Sequence, residues 1–177
     1  YENYNNNTDW VDAVSQHGYR NEYNLNISGG GEKATFRISG GYSNETGQVI
    51  GQNLNSFSSR LALDYYVSAR IKVIADFAFS YTKQRRNTID LLYNSLLMMP
   101  NMSIYAQDSL GNNTDAYYAM LKYPSPNQLQ STMQGRQNPL AVGELAQYHT
   151  DNYSINPMIT SEYSLLGLED NETQLKY

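Results

Sequence analysis

Residues 57–81 read FSSRLALDYYVSARIKVIADFAFSY. Phe57, Ser59, Leu61, Leu63, Tyr65 and Val67 share one parity, and Ile71, Val73, Ala75, Phe77, Phe79 and Tyr81 continue it without admitting a charge. Arg60, Asp64, Lys72 and Asp76 fall on the other parity. Successive side chains of a strand point to opposite faces, so this stretch predicts two strands with one apolar and one polar face, joined by a tight connection at Val67–Arg70. The pattern extends outward from there. Upstream lie Tyr23, Leu25 and Ile27, then Phe36, Ile38, Gly40 and Tyr42, with Asn24, Asn26, Thr35, Arg37 and Ser39 between them. Downstream it returns at Tyr153, Ile155, Ile159, Ser161, Tyr163 and Leu165.

A soluble antiparallel sandwich alternates too. Three features favour the wall of a transmembrane β-barrel. The apolar face admits small residues such as Ser59 and Ala75 but no charge. Aromatic residues gather toward strand ends at Tyr42, Phe57, Tyr65 and Tyr81. The charged residues within the alternating runs, Arg37, Arg60 and Asp76 included, sit on the opposite face. An arginine at mid-depth on the lipid side costs roughly 2–4 kcal/mol, so the charged parity belongs to the lumen. No run approaches the roughly 20 apolar residues of a spanning helix. That excludes helical spans and leaves a barrel untouched, because half of every barrel strand faces away from lipid. A mean hydropathy of −0.62 is compatible with such a wall.

The bulk properties narrow the partners. A net charge of −5 with no basic patch argues against nucleic acid. The absence of cysteine removes disulfides and thiolate metal sites. Seventeen tyrosines in 177 residues suit membrane interfaces and sugar-contacting surfaces, since the ring is apolar and the hydroxyl is not.

The chain orders itself as an Asn-rich opening around Thr8-Asp9-Trp10, four strands over residues 20–83, a long segment over 84–151, and further strand pattern over 153–177. Within the long segment, Leu91, Leu92, Leu96 and Leu97 predict a short helix ended by Pro100. Asn138-Pro139 supplies an N-cap with proline at the first helical position. Residues 107–137 read as loop. Connections alternate between short and long, as in outer-membrane barrels. Parity then places Gly29–Lys33, Val67–Arg70 and a turn near Gly167 on the periplasmic side, with Ser43–Gln52 and the long segment outside. The first residues lack the basic and apolar regions of a signal peptide, and the last stop within a strand pattern. Both ends read as cuts in a larger protein.

Catalysis finds little support. His149 and Asp151, or Glu169 and Asp170, are read as solvated surface charge. Gly29-Gly30-Gly31 lacks the Lys-Ser/Thr of a phosphate loop and reads as a hairpin turn. Asp108 to Asp115 is rich in oxygen ligands, but its spacing does not fit a calcium loop and no glutamate closes it. No catalytic residue, metal site or cofactor is expected. The ligand-contact candidates lie in the long segment: Tyr105, Tyr117, Tyr118 and Tyr123 to stack on sugar rings, and Asn112 and Asn113, with Gln128 and Gln130, to bond hydroxyls. The competing reading is that they pack the segment or meet a lid protein. Arg60 and Asp64 are expected to pair within the wall or touch a plug.

Several runs carry a more specific likeness. Thr8-Asp9-Trp10, Gly18 and Asn24-Leu25-Asn26-Ile27-Ser28-Gly29-Gly30 resemble a signature of the SusC/RagA family of TonB-dependent transporters. Glu32 to Tyr42, Glu45-Thr46-Gly47-Gln48-Val49-Ile50-Gly51, Ser59 to Asp64, Met99-Pro100, Ile104-Tyr105, Asp108-Ser109-Leu110-Gly111 and Asn138-Pro139-Leu140-Ala141 continue it. The resemblance implies an all-β, antiparallel transmembrane wall of about six strands in a barrel of about 22. It also implies a long extracellular loop with short helices, and plug and N-terminal domains lying outside this chain. The implied function is outer-membrane import of oligosaccharides or peptides, with TonB and a SusD-like surface lipoprotein as partners. The alternative is an extracellular all-β carbohydrate-binding or adhesion module.

Overall fold

The computed structural model describes residues 5–119, 136–166 and 175–176. Five long or terminal strands and one short one build the principal sheet. They are β1 (Tyr19–Gly30), β2 (Ala34–Thr46), β3 (Asn53–Ser68), β4 (Ile71–Asn87), β7 (Gln147–Leu166) and β8 (Leu175–Lys176), in the spatial order β1-β2-β3-β4-β7-β8. Between β4 and β7 lie a separate hairpin, β5 (Tyr105–Gln107) with β6 (Asn113–Tyr117), and the helices α2 (Leu91–Leu96) and α3 (Pro139–Leu145). A short helix α1 (Trp10–Val14) precedes β1.

Short connections force the antiparallel order. The Gly31 N–H donates to the Ala34 carbonyl at 2.8 Å and closes the β1–β2 hairpin. Ser68 Oγ accepts the N–H groups of Arg70 and Ile71 at 3.3 and 3.2 Å, which turns β3 into β4. Gly29 and Gly30 end β1, so the turn proper is Gly31–Lys33. The Phe36 ring lies where a Cβ on Gly29 would stand, 2.9 Å from it, covering the bare backbone across the hairpin.

The chain divides into two compact units. Residues 20–44, 54–83 and 150–177 form the sheet unit. None of its described side chains is fully buried. Leu61, Leu63 and Phe77 are 44%, 37% and 44% exposed, so no second sheet covers the apolar parity as a soluble sandwich requires. Tyr23, Leu25, Ile38, Tyr153, Ile155 and Ile159 are exposed on the same side. An apolar face of this extent, uncovered and free of charge from Phe57 to Tyr81, is the lipid side of a barrel wall. No helix is long and apolar enough to cross a membrane, which says nothing of spanning by strands.

Residues 1–19, 45–53 and 84–149 form the second unit, and all the fully buried residues described lie there. It is more structured than its sequence predicts. The Asn-rich opening contains α1, residues 107–117 form a hairpin arm instead of loop, β4 continues to Asn87 and β7 begins at Gln147. The reasons are physical. A helix of a turn and a half shows no periodicity, and strands of three to five residues carry too few alternations to stand out. The turn expected at Gly167 and the side chain of Tyr123 lie outside the described residues.

Candidate functional site

The loop unit is assembled around Thr8-Asp9-Trp10. Asp9 caps α1, accepting the Asp12 N–H at 3.0 Å. Thr8 donates its backbone N–H to the Pro100 carbonyl at 2.7 Å and its hydroxyl to the Met102 carbonyl at 2.6 Å. Trp10 donates Nε1–H to the Met99 carbonyl at 3.0 Å and buries its ring against Met98 and Met102, with Met99, Ile104 and Tyr118 packed around them. One anchor thus satisfies carbonyls and fills a core about ninety residues away along the chain.

Asn138 performs two tasks. Its Oδ1 accepts the Ala141 N–H at 3.4 Å and caps α3, with Pro139 at the first helical position. Its Nδ2 donates to the carbonyls of Ile104 and Tyr118 at 2.7 and 3.3 Å, tying together the base of the β5–β6 arm. At 5% exposure the side chain has no water to replace these partners.

A second cluster buries Val14, Leu91 and Val142, with Val49, Ile50, Ile89 and Ala146 around it. The segment 47–52 enters it through an isolated bridge between Ser15 and Val49. The Ile50 N–H donates to the Val14 carbonyl at 2.9 Å, and Gln16 Nε2 reaches the Gly47 and Val49 carbonyls. Gly51 takes φ +78°, and a Cβ there would meet the Gly143 carbonyl oxygen at 2.8 Å and the Asn87 amide oxygen. A Cβ on Gly143 would lie 2.7 Å from both Ile50 Cδ1 and Leu91 Cδ1, so α3 approaches its neighbours by way of that glycine.

The ligand candidates fall into three groups. Tyr105 and Tyr117, cross-strand partners in β5–β6, stack on each other with ring centroids 5.3 Å apart and planes at 23°. The Tyr117 hydroxyl donates to Glu144 on α3. The acceptor carboxylate, aided by partial burial, pushes that hydroxyl up to about 12. Tyr118 packs against the Trp10 cluster and donates its N–H to the Ile104 carbonyl at 2.9 Å. Asn112 and Asn113 are exposed at the arm's tip. The Asn112 N–H and the Leu110 N–H both donate to Asp108 Oδ1, at 2.8 and 2.9 Å, and Asn112 Nδ2 donates to Asp108 Oδ2. These bonds hold the Asp108 carboxyl below the usual carboxylate range, the Asn112 N–H contributing most. Asn113 Oδ1 accepts from Gln107 Nε2 at 3.1 Å. Tyr117 and the two asparagines are therefore gathered on one arm with Tyr105, while Tyr118 belongs to its foundation. Trp10, Asn138 and Glu144, absent from the sequence candidates, are what position the arm.

Within the sheet unit the polar parity is organised separately. Arg60 on β3 places Nε 3.0 Å from each carboxylate oxygen of Asp76 on β4. Asp64 pairs with Lys72 at 2.9 Å, four residues on along β3 and four back along β4, as antiparallel neighbours require. Lys72 Nζ also lies 5.5 Å from the centre of the Tyr66 ring. On the same face Arg20 pairs with Glu22 at 3.0 Å, and Asn24, Asn26, Ser39, Ser58, Ser80 and Asn156, with Arg60, line an open hollow of about 390 Å3. Across from the charges, on the apolar parity, Tyr81 and Tyr153 stack at 4.7 Å, and the Tyr81 hydroxyl donates to Asp151 at 2.9 Å. Among the described residues no group of three or more His, Asp and Glu side chains is placed to hold a metal ion.

Comparison with characterised proteins gives relatives of one kind. The chain is 33% identical over 137 residues to TonB-dependent receptor P39 of Formosa agariphila, a match covering 77% of this chain and 12% of the relative. It is 30% identical over 130 residues to TonB-dependent receptor P3 of the same organism, covering 64% of this chain and 13% of the relative. It is 25% identical over 146 residues to the TonB-dependent receptor SusC of Bacteroides thetaiotaomicron, covering 78% of this chain and 15% of that protein. The chain therefore spans about an eighth to a seventh of the length of the relatives it matches. No family model matches it.

Proposed function

This chain belongs to the SusC-like TonB-dependent receptors, and from that premise we propose that it forms part of the barrel wall and extracellular loops of an outer-membrane importer of oligosaccharides or peptides. Substrate is captured on the extracellular side with a SusD-like lipoprotein as lid, and TonB supplies the energy for passage, acting through parts of the protein outside this chain. The wall's share is mechanical. It holds the barrel open against lipid on one face and presents hydrogen-bonding, charge-balanced side chains to the lumen on the other.

The observation that carries this reading is the division of the sheet's two faces. Leu61, Leu63 and Phe77 stand uncovered on one side, and Arg60–Asp76 and Asp64–Lys72 are paired on the other. The loop unit is the extracellular assembly in this account. Tyr105, Tyr117, Tyr118, Tyr123, Asn112 and Asn113 remain its ligand-contact candidates, and the exposed arm tip at Asn112 and Asn113 is the part most open to substrate or lid.

Uptake of labelled oligosaccharide and peptide pools by cells carrying the full-length receptor tests the proposal. Import that stops when a protonophore collapses the membrane potential, and copurification of a surface lipoprotein with the receptor, are the expected results. A full-length protein that stays monodisperse in buffer without detergent contradicts it and favours the soluble carbohydrate-binding module.

A further inference from the structure

The apolar parity does not run the full length of the strands, and it stops in a coordinated way. On β2 it passes from Tyr42 to Asn44. On β3 it passes from Phe57 to Asn55. On β4 it passes from Tyr81 to Lys83, and on β7 from Tyr153 to Asp151. In all four strands an aromatic residue is the last apolar side chain, and the next position on the same face is polar or charged. The polar groups beyond the line already partner one another or the aromatic rim. Asn44 Nδ2 donates to Asn55 Oδ1, and the Tyr81 hydroxyl donates to Asp151.

The contacts fix how these changes align. Phe57 meets Phe79 with ring centroids 6.1 Å apart, and Tyr81 stacks on Tyr153. The line therefore runs level from β2 to β3, climbs one face position on β4, and runs level to β7. A line of constant depth has to climb in this way across strands that tilt in a membrane. Measured from that line to the tight turn between β3 and β4, the band covers residues 57–67 and 71–81. Each stretch is about 11 residues, or about 24–28 Å of height at 3.4 Å per residue and a 35–45° tilt. That equals the height of the apolar band of an outer-membrane barrel, about 25 Å.

We infer that one edge of the hydrocarbon layer lies along Tyr42, Phe57, Tyr81 and Tyr153, and that Lys83 faces the phosphate-bearing headgroup layer just beyond it. The partner is a bilayer of fixed thickness. An aromatic ring with a bonded hydroxyl suits the boundary, because its body is apolar and its tip is not. Lys83 is exposed and is the cation on this face nearest the rim. This inference rests on the membrane reading above but adds a depth that reading does not contain.

Nitroxide labels on single cysteines test it in the full-length receptor, reconstituted in vesicles of phosphatidylethanolamine and phosphatidylglycerol. Collision with oxygen, which concentrates in hydrocarbon, is compared with collision with a water-soluble nickel chelate. Labels at Phe77→Cys and Phe79→Cys are expected to favour oxygen, and the label at Lys83→Cys to favour the chelate, with the ratio inverting between residues 79 and 83. A label at Lys83→Cys as oxygen-rich as that at Phe77→Cys overturns the inference, as does a label at Phe79→Cys already favouring the chelate. Chelate access at Leu63→Cys and Phe77→Cys removes the membrane reading itself, so the two failures are distinguishable.

Discussion

Arg60 and Asp76 meet across β3 and β4 with the guanidinium Nε equidistant from both carboxylate oxygens, while Leu61, one residue along, stands exposed on the opposite face. A single step along the chain therefore separates a neutralised ion pair from an uncovered hydrocarbon side chain. Lipid on one side and a polar lumen on the other account for both.

The first expectation concerns that step. Leu61→Arg places a charge on the lipid face and should destabilise the inserted barrel by about 2–4 kcal/mol at mid-depth. Arg60→Leu leaves the lipid face unchanged and should insert normally. Band shift between folded and heat-unfolded forms in detergent gels, after refolding into vesicles, checks both.

The second concerns Asn138. Asn138→Ala removes the cap of α3 and leaves the Ile104 and Tyr118 carbonyls without their donor. The expected cost is about 1–3 kcal/mol. The loss should be local, because the sheet does not depend on it. Limited proteolysis should cut between residues 104 and 138 in the variant sooner than in the parent, with the barrel's gel shift retained.

Gly51 and Gly143 should respond differently to alanine. At Gly51 the positive φ and the rigid Gly143 carbonyl both oppose a side chain, so Gly51→Ala should destabilise the loop unit by about 1 kcal/mol or more. At Gly143 the obstacles are the ends of Ile50 and Leu91, which can rotate. Gly143→Ala should therefore be the milder change. Hydrogen exchange of the Ile50 amide, bonded to the Val14 carbonyl, reports both.

Much of this was legible in the sequence, and the boundary of legibility is physical. Phe57 to Tyr81 disclosed its faces because two strands of more than a dozen residues repeat the period many times, and because a charge on the wrong parity is intolerable in lipid. Asn138-Pro139 disclosed a helix start because capping is a local interaction. The second task of Asn138, tying down Ile104 and Tyr118, was hidden because it depends on residues 20 to 34 positions away. Trp10 was visible as an anchor, but the Met98 and Met102 side chains that receive it were not. Among the ligand candidates, Tyr118 was indistinguishable from Tyr117 by composition, and only the packing assigns one to a core and the other to an exposed arm.

The arm itself should show a titration. Hydrogen bonding to Glu144 raises the Tyr117 hydroxyl, so the neutral form is favoured in the folded protein. The stabilisation is fully present below the ordinary tyrosine value of about 10 and is lost as the pH rises through about 12. Asp108 behaves oppositely. Its carboxyl is held low, so its contribution is present above the ordinary carboxylate value and is lost as the pH falls below it. Difference absorbance of tyrosinate in Tyr117→Phe against the parent should lack one late-titrating group, and protease sensitivity of the arm should rise on acidification in the parent but not in Asp108→Asn.

The central claim is that hydrocarbon touches one parity of β3 and β4 and not the other. Fluorophores on single cysteines at Leu61, Leu63, Val73 and Phe77, compared with Ala62, Ile74 and Ala78, in vesicles of lipids brominated along the acyl chains, measure this directly. The account predicts strong quenching at the first set, weak quenching at the second, and alternation residue by residue along β4. Equal quenching of neighbouring residues, or none at Leu61 and Phe77, would contradict it.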